Sequence, residues 1–215
     1  KESSAASDVY KRQAEHHNSK SISCSATDLI IGYILENTQR IKVGAGGVML
    51  PNHTPFQVAE RYGTLETLYP ERVDLGIGRA PGTDIETAKL IYRDTYKEDN
   101  FKEAIRTLLS YFEEEAENFT VRPYPGVGTH VPVYILGSSM TSAHIAAQLG
   151  LPYSFAGHFS PNTVEVALKI YREEFTPSKY LDKPYVMLGV SANAAYEKDA
   201  AEHIKQQAIL SLIHI

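Results

Sequence analysis

The sequence predicts an α/β chain built on a parallel sheet, and three observations carry that prediction. Five short segments are near-continuous apolar runs rather than alternating ones, which suits strands covered on both faces. Helical patterns lie between them. The strand starts recur every 20 to 60 residues or so, and repeated strand–helix units imply a parallel sheet, either doubly wound or closed into a barrel.

The elements follow in order. Residues 25–37 read as a helix, and IKVGAG (41–46) as the first strand. PFQVAERYGTLETL (55–68) is the next helix. Thr54-Pro55 supplies a cap with proline at the first helical position, and Val58, Tyr62, Leu65 and Leu68 fall near one face. VDLGIG (73–78) is the second strand. The stretch 79–131 holds loop material and a helix at 101–117 with an acidic outer face, and the turn-rich YPGVG (124–128) leads into the next strand. VPVYILG (131–137), PYSFAG (152–157) and PYVMLGVSAN (184–193) are the remaining strands. Helices at 141–149 and 162–175 separate them, each ended by a glycine or proline, and a further helix follows the last strand. Five strands cannot close an eight-stranded barrel.

Composition bounds the function. The chain has 215 residues, 43% of them apolar, which is enough for one sizeable core and ordinary for a globular domain. A net charge of −5 argues against the phosphate backbone of a nucleic acid as the main partner. No apolar run approaches the roughly 18 residues that span a bilayer, and no signal-peptide core opens the chain, so no membrane association and a cytoplasmic setting are expected. Cys24 is the single cysteine, which excludes an internal disulfide.

The two ends differ from the rest. KESSAASDVYKRQ (1–13) has no usable periodicity, and ILSLIHI (209–215) stops in mid-pattern. Both resemble translated sequencing-adapter strings. The expected domain is therefore 14–208, a fragment with non-native segments on either side. A disordered N-terminal tail is the alternative for 1–13. A chain so shortened is expected to leave sheet edges unpaired and apolar faces bare, and to aggregate.

Three strand ends carry chemistry. In DLGIGRAPGTD (74–84) the glycines are spaced G-x-G-x-x-x-G with Pro81 interrupting, which argues against a dinucleotide fingerprint. Gly76 and Gly78 remove side chains where a flat ligand or another backbone comes close, and Arg79 stands where a guanidinium can grip a phosphate. Arg79 could equally cap the rim against a carboxylate such as Asp84. In YILGSSMTSAHIAAQLG (134–150), Ser138, Ser139, Thr141 and Ser142 crowd a helix start. This arrangement favours an anion, although one serine could serve as a plain cap. In VGAGGVMLP (43–51), Gly44, Gly46 and Gly47 fit a backbone of unusual shape, such as a non-proline cis bond, or a bulge.

AEHHN (14–18) offers Glu15, His16 and His17. Adjacent histidines on an extended segment point to opposite sides, so at most one faces a pocket, as a proton handler or hydrogen-bond donor, with an ordinary surface histidine as the alternative. His53, His130, His144 and His158 lack metal-ligand spacing, and no metal is expected.

Together, VGAGGVMLPNHTPFQVAERYGTLETLYPERVDLGIGRAPGTD, LGSSMTSAHIAAQLGLPYSFAGHF and AEHHN resemble the core of the bacterial-luciferase-like, flavin-dependent monooxygenases, over nearly all of 14–208. The resemblance implies a TIM-like (β/α)8 barrel, incomplete here with about five core strands. It implies reduced FMN bound at the C-terminal strand ends, O₂ activated on that flavin, a small organic substrate and a separate flavin reductase. Relatives commonly dimerise, so a homodimer fits the full-length protein. By the same resemblance, His16 is the catalytic histidine beside the flavin. Gly46-Gly47 is the cis bond that buttresses the ring, and Arg79 binds the flavin phosphate. Leu136 and Ser138 lie near the ring and ribityl chain, and Ser139 and Ser142 are phosphate donors. Gly78 replaces the reactive cysteine of some luciferases, which argues against light emission. Two alternatives within the resemblance are a deazaflavin-dependent hydride transferase and a non-enzymatic flavin-binding barrel.

Overall fold

The computed structural model describes residues 10–20, 22, 24–91, 98–114, 120–192, 196, 199 and 202. The expectations for the first nine residues, for helix past 114, for a helix after the last strand and for the tail at 209–215 lie largely or wholly outside the described residues.

The elements run β1 (Tyr10–Gln13), α1 (Thr27–Glu36), β2 (Lys42–Met49), α2 (Pro55–Leu68), β3 (Val73–Gly78), α3 (Ile85–Ile91), α4 (Glu98–Tyr111), β4 (Val133–Gly137), α5 (Met140–Leu149), β5 (Tyr153–Ala156), α6 (Val164–Glu174) and β6 (Val186–Gly189). The six strands form one sheet in sequence order, and every neighbouring pair is parallel. This is the incomplete barrel that the family resemblance implies, and among the described residues β1 and β6 are the two edges of the sheet.

The described residues hold six strands, one more than the five segments that read as strands in the sequence. β1 falls in the segment set outside the domain, yet Tyr10 to Gln13 pair in register with Lys42 to Ala45. The segment lacks apolar periodicity because its side chains are covered in other ways. The Arg12 guanidinium lies 4.3 Å from the centre of the Tyr134 ring, and its Nε donates to the Tyr10 hydroxyl.

Local signals set the helix ends. The Thr54 hydroxyl accepts from Gln57 N at 3.2 Å, and Pro55 opens α2. Val58, Tyr62 and Leu65 are buried as expected, but Leu68, on the last turn, is 62% exposed. Gly150 closes α5 in the left-handed region at φ 60°. The core lies between sheet and helices. Leu75, Ile77 and Ile135 from the strands meet Ile31, Ile105 and Leu108 from the helices, all fully buried. Each contributes roughly 1.5–3 kcal/mol of apolar transfer.

β2 changes register against β3 between Ala45 and Val48, and the Gly46-Gly47 peptide within that step is cis. The bulge and the cis bond, open alternatives in the sequence, both occur at the same place. A Cβ on Gly47 would stand 2.7 Å from the Gly76 carbonyl oxygen, so the two glycines allow β2 and β3 to close together there.

Candidate active site

The C-terminal ends of the strands surround a cavity of about 540 Å³, within the range of small-molecule and cofactor sites. His16, Gly46, Arg79, Leu136, Ser138, Ser139 and Ser142 all line it. These residues come from four separate strand ends. Gly47 alone of the expected set is not among the lining residues. It is buried, and its missing side chain would face Gly76 and, at 3.3 Å, Leu136 Cδ2. Phe101 of α4, Ile145 of α5 and Phe159 after β5 supply apolar wall that the sequence did not signal.

Helix α5 starts at the cavity. Ser139 is its N-cap, with its hydroxyl 3.4 Å from Ser142 N, and Ser142 returns the contact to Ser139 N at 3.4 Å. The plain capping role is therefore present. Those bonds are long, and the Ser142 hydroxyl lies closer to Tyr153 Oη, at 2.9 Å. Ser138 and Thr141 line the cavity without belonging to the cap, so this helix start offers more hydroxyls than capping uses.

Arg79 is exposed at the cavity mouth, the first residue after β3. Asp84, its candidate rim partner, accepts from Asn18 Nδ2 at 2.9 Å and from the Thr87 amide at 2.9 Å and hydroxyl at 2.8 Å. Those bonds hold the Asp84 carboxyl well below the usual carboxylate range.

The alternation expected at AEHHN is present. His16 faces the cavity, while Glu15 and His17 turn the other way. The residue that sequence reasoning missed is Glu15, which is only 2% exposed. Its Oε1 lies 2.8 Å from His17 Nε2, 3.0 Å from Asn52 Nδ2 and 3.0 Å from His53 Nε2. Its Oε2 accepts from Met49 N at 3.0 Å and lies 3.0 Å from His53 Nε2. Burial pushes the Glu15 carboxyl up, but hydrogen bonds and charge from His53, with further bonds from His17 and Asn52, outweigh it and hold it down at about 2. An ionised carboxylate only accepts, so both imidazoles carry their proton on Nε2 toward it. The E-H-H string named Glu15, but all its partners except His17 lie 34 to 38 residues away and no local pattern announces them.

Among the described residues, no group of three or more His, Cys, Asp and Glu side chains is arranged to hold a metal ion. Among them, too, no helix is long and apolar enough to cross a membrane.

Comparison with known proteins agrees with this geometry. The uncharacterized protein YddN of Bacillus subtilis (strain 168) is 51% identical over 209 residues, which cover 96% of this chain and 62% of YddN. A luciferase-like monooxygenase of Escherichia coli (strain K12) is 47% identical over 203 residues, 93% of this chain and 61% of the relative. This chain thus spans a little over three fifths of the length of both. The crystal structure of apo-MsnO8 superposes with a TM-score of 0.78 at 32% identity, covering 85% of this chain and 55% of that one. Two more distant structures share the fold at 16% identity. One is the oxygenating constituent of 3,6-diketocamphane monooxygenase from Pseudomonas putida in complex with FMN, with a TM-score of 0.66 and 93% and 61% coverage. The other is the coenzyme F420 dependent tetrahydromethanopterin reductase from Methanopyrus kandleri, with a TM-score of 0.67 and 90% and 60% coverage. The family described as luciferase-like monooxygenase matches residues 12–213, and the chain belongs to that family.

Proposed function

We propose that this chain forms the flavin-binding part of a monooxygenase that takes reduced FMN and O₂ and oxidises a small organic substrate, with a separate reductase supplying the reduced flavin. One observation carries the reading: the seven residues from four strand ends that the sequence resemblance assigns to the flavin or the chemistry beside it line one cavity.

The cavity fits such a cofactor. Gly46 contributes to one wall, where a Cβ would collide with the Arg12 side chain, and Leu136 offers an apolar face to the cavity. The start of α5 presents N–H groups and hydroxyls to an anion, and Arg79 presents a guanidinium at the same cavity. Gly46, Gly47 and Leu136 would hold the ring, Ser138 the ribityl chain, and Arg79, Ser139 and Ser142 the phosphate. When bound, reduced FMN supplies the electrons with which O₂ is activated. His16, on the cavity wall, holds or moves a proton at its imidazole nitrogen beside the ring. Phe101 and Ile145, both buried, keep water from the inner side.

Oxygen uptake tests the reading. Supplying reduced FMN to the protein should give O₂ consumption that depends on an added organic substrate. Flavin binding without substrate-dependent uptake would leave a flavin-binding barrel. A deazaflavin hydride transferase shares the phosphate grip and the fold of the Methanopyrus kandleri reductase. It would bind its cofactor without consuming oxygen.

A further inference from the structure

We infer that Glu15 is a positioning residue that locks the loop carrying Arg79 and the segment carrying His16 into one rigid body. The inference rests on the proposed flavin reading for the identity of the ligand, but the contacts themselves are geometric.

Glu15 does not line the cavity, so it cannot touch the ligand directly. Its carboxylate instead joins three pieces of chain: the end of β2 through Met49 N, the turn after it through Asn52 and His53, and its own segment through His17. Two of these pieces then bond to the loop after β3. Asn52 Nδ2 also donates to the Pro81 carbonyl at 3.0 Å. The His17 amide donates to the Gly82 carbonyl at 3.0 Å, and the Thr83 hydroxyl donates to the His17 carbonyl at 3.0 Å. Gly82 sits at φ +67°, and a Cβ there would lie 2.7 Å from the Glu15 carbonyl oxygen. The loop bearing Arg79 is thus sewn to residues 15–18, and the Glu15 side chain orients two of the stitching groups.

Because side chains alternate along residues 15–17, the carboxylate that fixes His17 on one face also fixes the direction of His16 on the other. The loss of one acceptor would loosen both. Glu15→Gln keeps the volume but replaces an acceptor oxygen with an NH₂ group, which must face N–H donors of His17, Asn52, His53 or Met49.

The test compares reduced FMN with reduced riboflavin, titrated anaerobically, because their affinity ratio reports the grip on the phosphate and is insensitive to overall stability. In E15Q the preference for FMN should fall about tenfold, as expected for one weakened charge-assisted contact, while riboflavin affinity changes less. Amide hydrogen exchange is the second readout. The His17 amide should exchange faster in E15Q than in the native chain, while the Leu75 amide, bonded to Pro132 O inside the sheet, should not. If E15Q folds and either the FMN preference or His17 exchange matches the native chain, the inference is overturned. Should E15Q fail to fold, Asn52→Ala, which removes the bridge from Glu15 to Pro81, is read in the same two ways and judged by the same outcomes. If the native chain itself shows no preference for FMN, the phosphate reading fails, and the exchange measurement alone decides the role of Glu15.

Discussion

Glu15 and His53 meet across 38 residues of sequence, with His53 Nε2 3.0 Å from each oxygen of the Glu15 carboxylate. The contact belongs to a buried acceptor filled on every side by donors, and its first consequence is a dependence on acid.

The folded Glu15 carboxyl is held at about 2 against an ordinary value of 4.5. A depressed folded value means that the unfolded chain takes up the proton first as pH falls. The stabilisation is therefore complete above pH 4.5 and is lost as pH falls from 4.5 toward 2. It amounts to up to about 3 kcal/mol. Urea midpoints measured at pH 7, 4 and 3 should fall for the native chain and fall much less for E15Q, which starts lower. Parallel profiles would show that Glu15 does not carry the acid response.

Arg79→Ala should weaken reduced FMN by roughly 1.5–3 kcal/mol, the scale of a charged hydrogen bond, and leave riboflavin nearly unchanged. Calorimetric or fluorescence titration of both flavins decides this, and equal loss for the two would remove the phosphate role.

Ser139 combines a cap with a proposed phosphate contact, and glycine separates the two. Ser139→Gly should cost the fold only a few tenths of a kcal/mol, because glycine is tolerated as an N-cap. It should weaken FMN about fivefold or more by removing a hydroxyl donor. An FMN affinity left intact beside a normal melting curve would confine Ser139 to capping.

His16→Ala should slow substrate-dependent oxygen uptake by roughly a hundredfold or more, the scale of lost proton transfer, with a much smaller change in flavin affinity. An unaltered rate would take His16 out of the chemistry.

Gly76→Ala and Gly78→Ala should differ. A methyl group at Gly76 collides with the Ala45 carbonyl oxygen, which is fixed in β2, whereas at Gly78 it meets the flexible end of Met49 at 3.0 Å. Thermal melts should show a loss of about 1–3 kcal/mol for the first and clearly less for the second.

Much of this was legible in the sequence where the signal is local. β3 and α2 have the expected boundaries because an apolar run ending at Gly78 and a Thr54-Pro55 start are sufficient cues. β1 was not legible. Tyr-Lys-Arg-Gln has no apolar rhythm, and only backbone pairing with β2 makes it a strand. The short helix α3 was also missed, having no buried residue to give it a period. At the site, the glycines, Arg79 and the serines were readable because each stands at a strand end or helix start, where the local string announces it. Glu15 was not, because its importance comes from Met49, Asn52 and His53, which only the folded chain brings to it.

The order of the strands bears on how the chain comes together during synthesis. Among the described residues every strand pairs with its sequence neighbours, so none of these five ladders waits for a distant part of the polypeptide. The sheet can grow from its N-terminal side as the ribosome delivers each strand, at the cost of short loop closures. The stretch between β3 and β4 is the longest of the intervals between these strands, so β3 waits longest for its second neighbour.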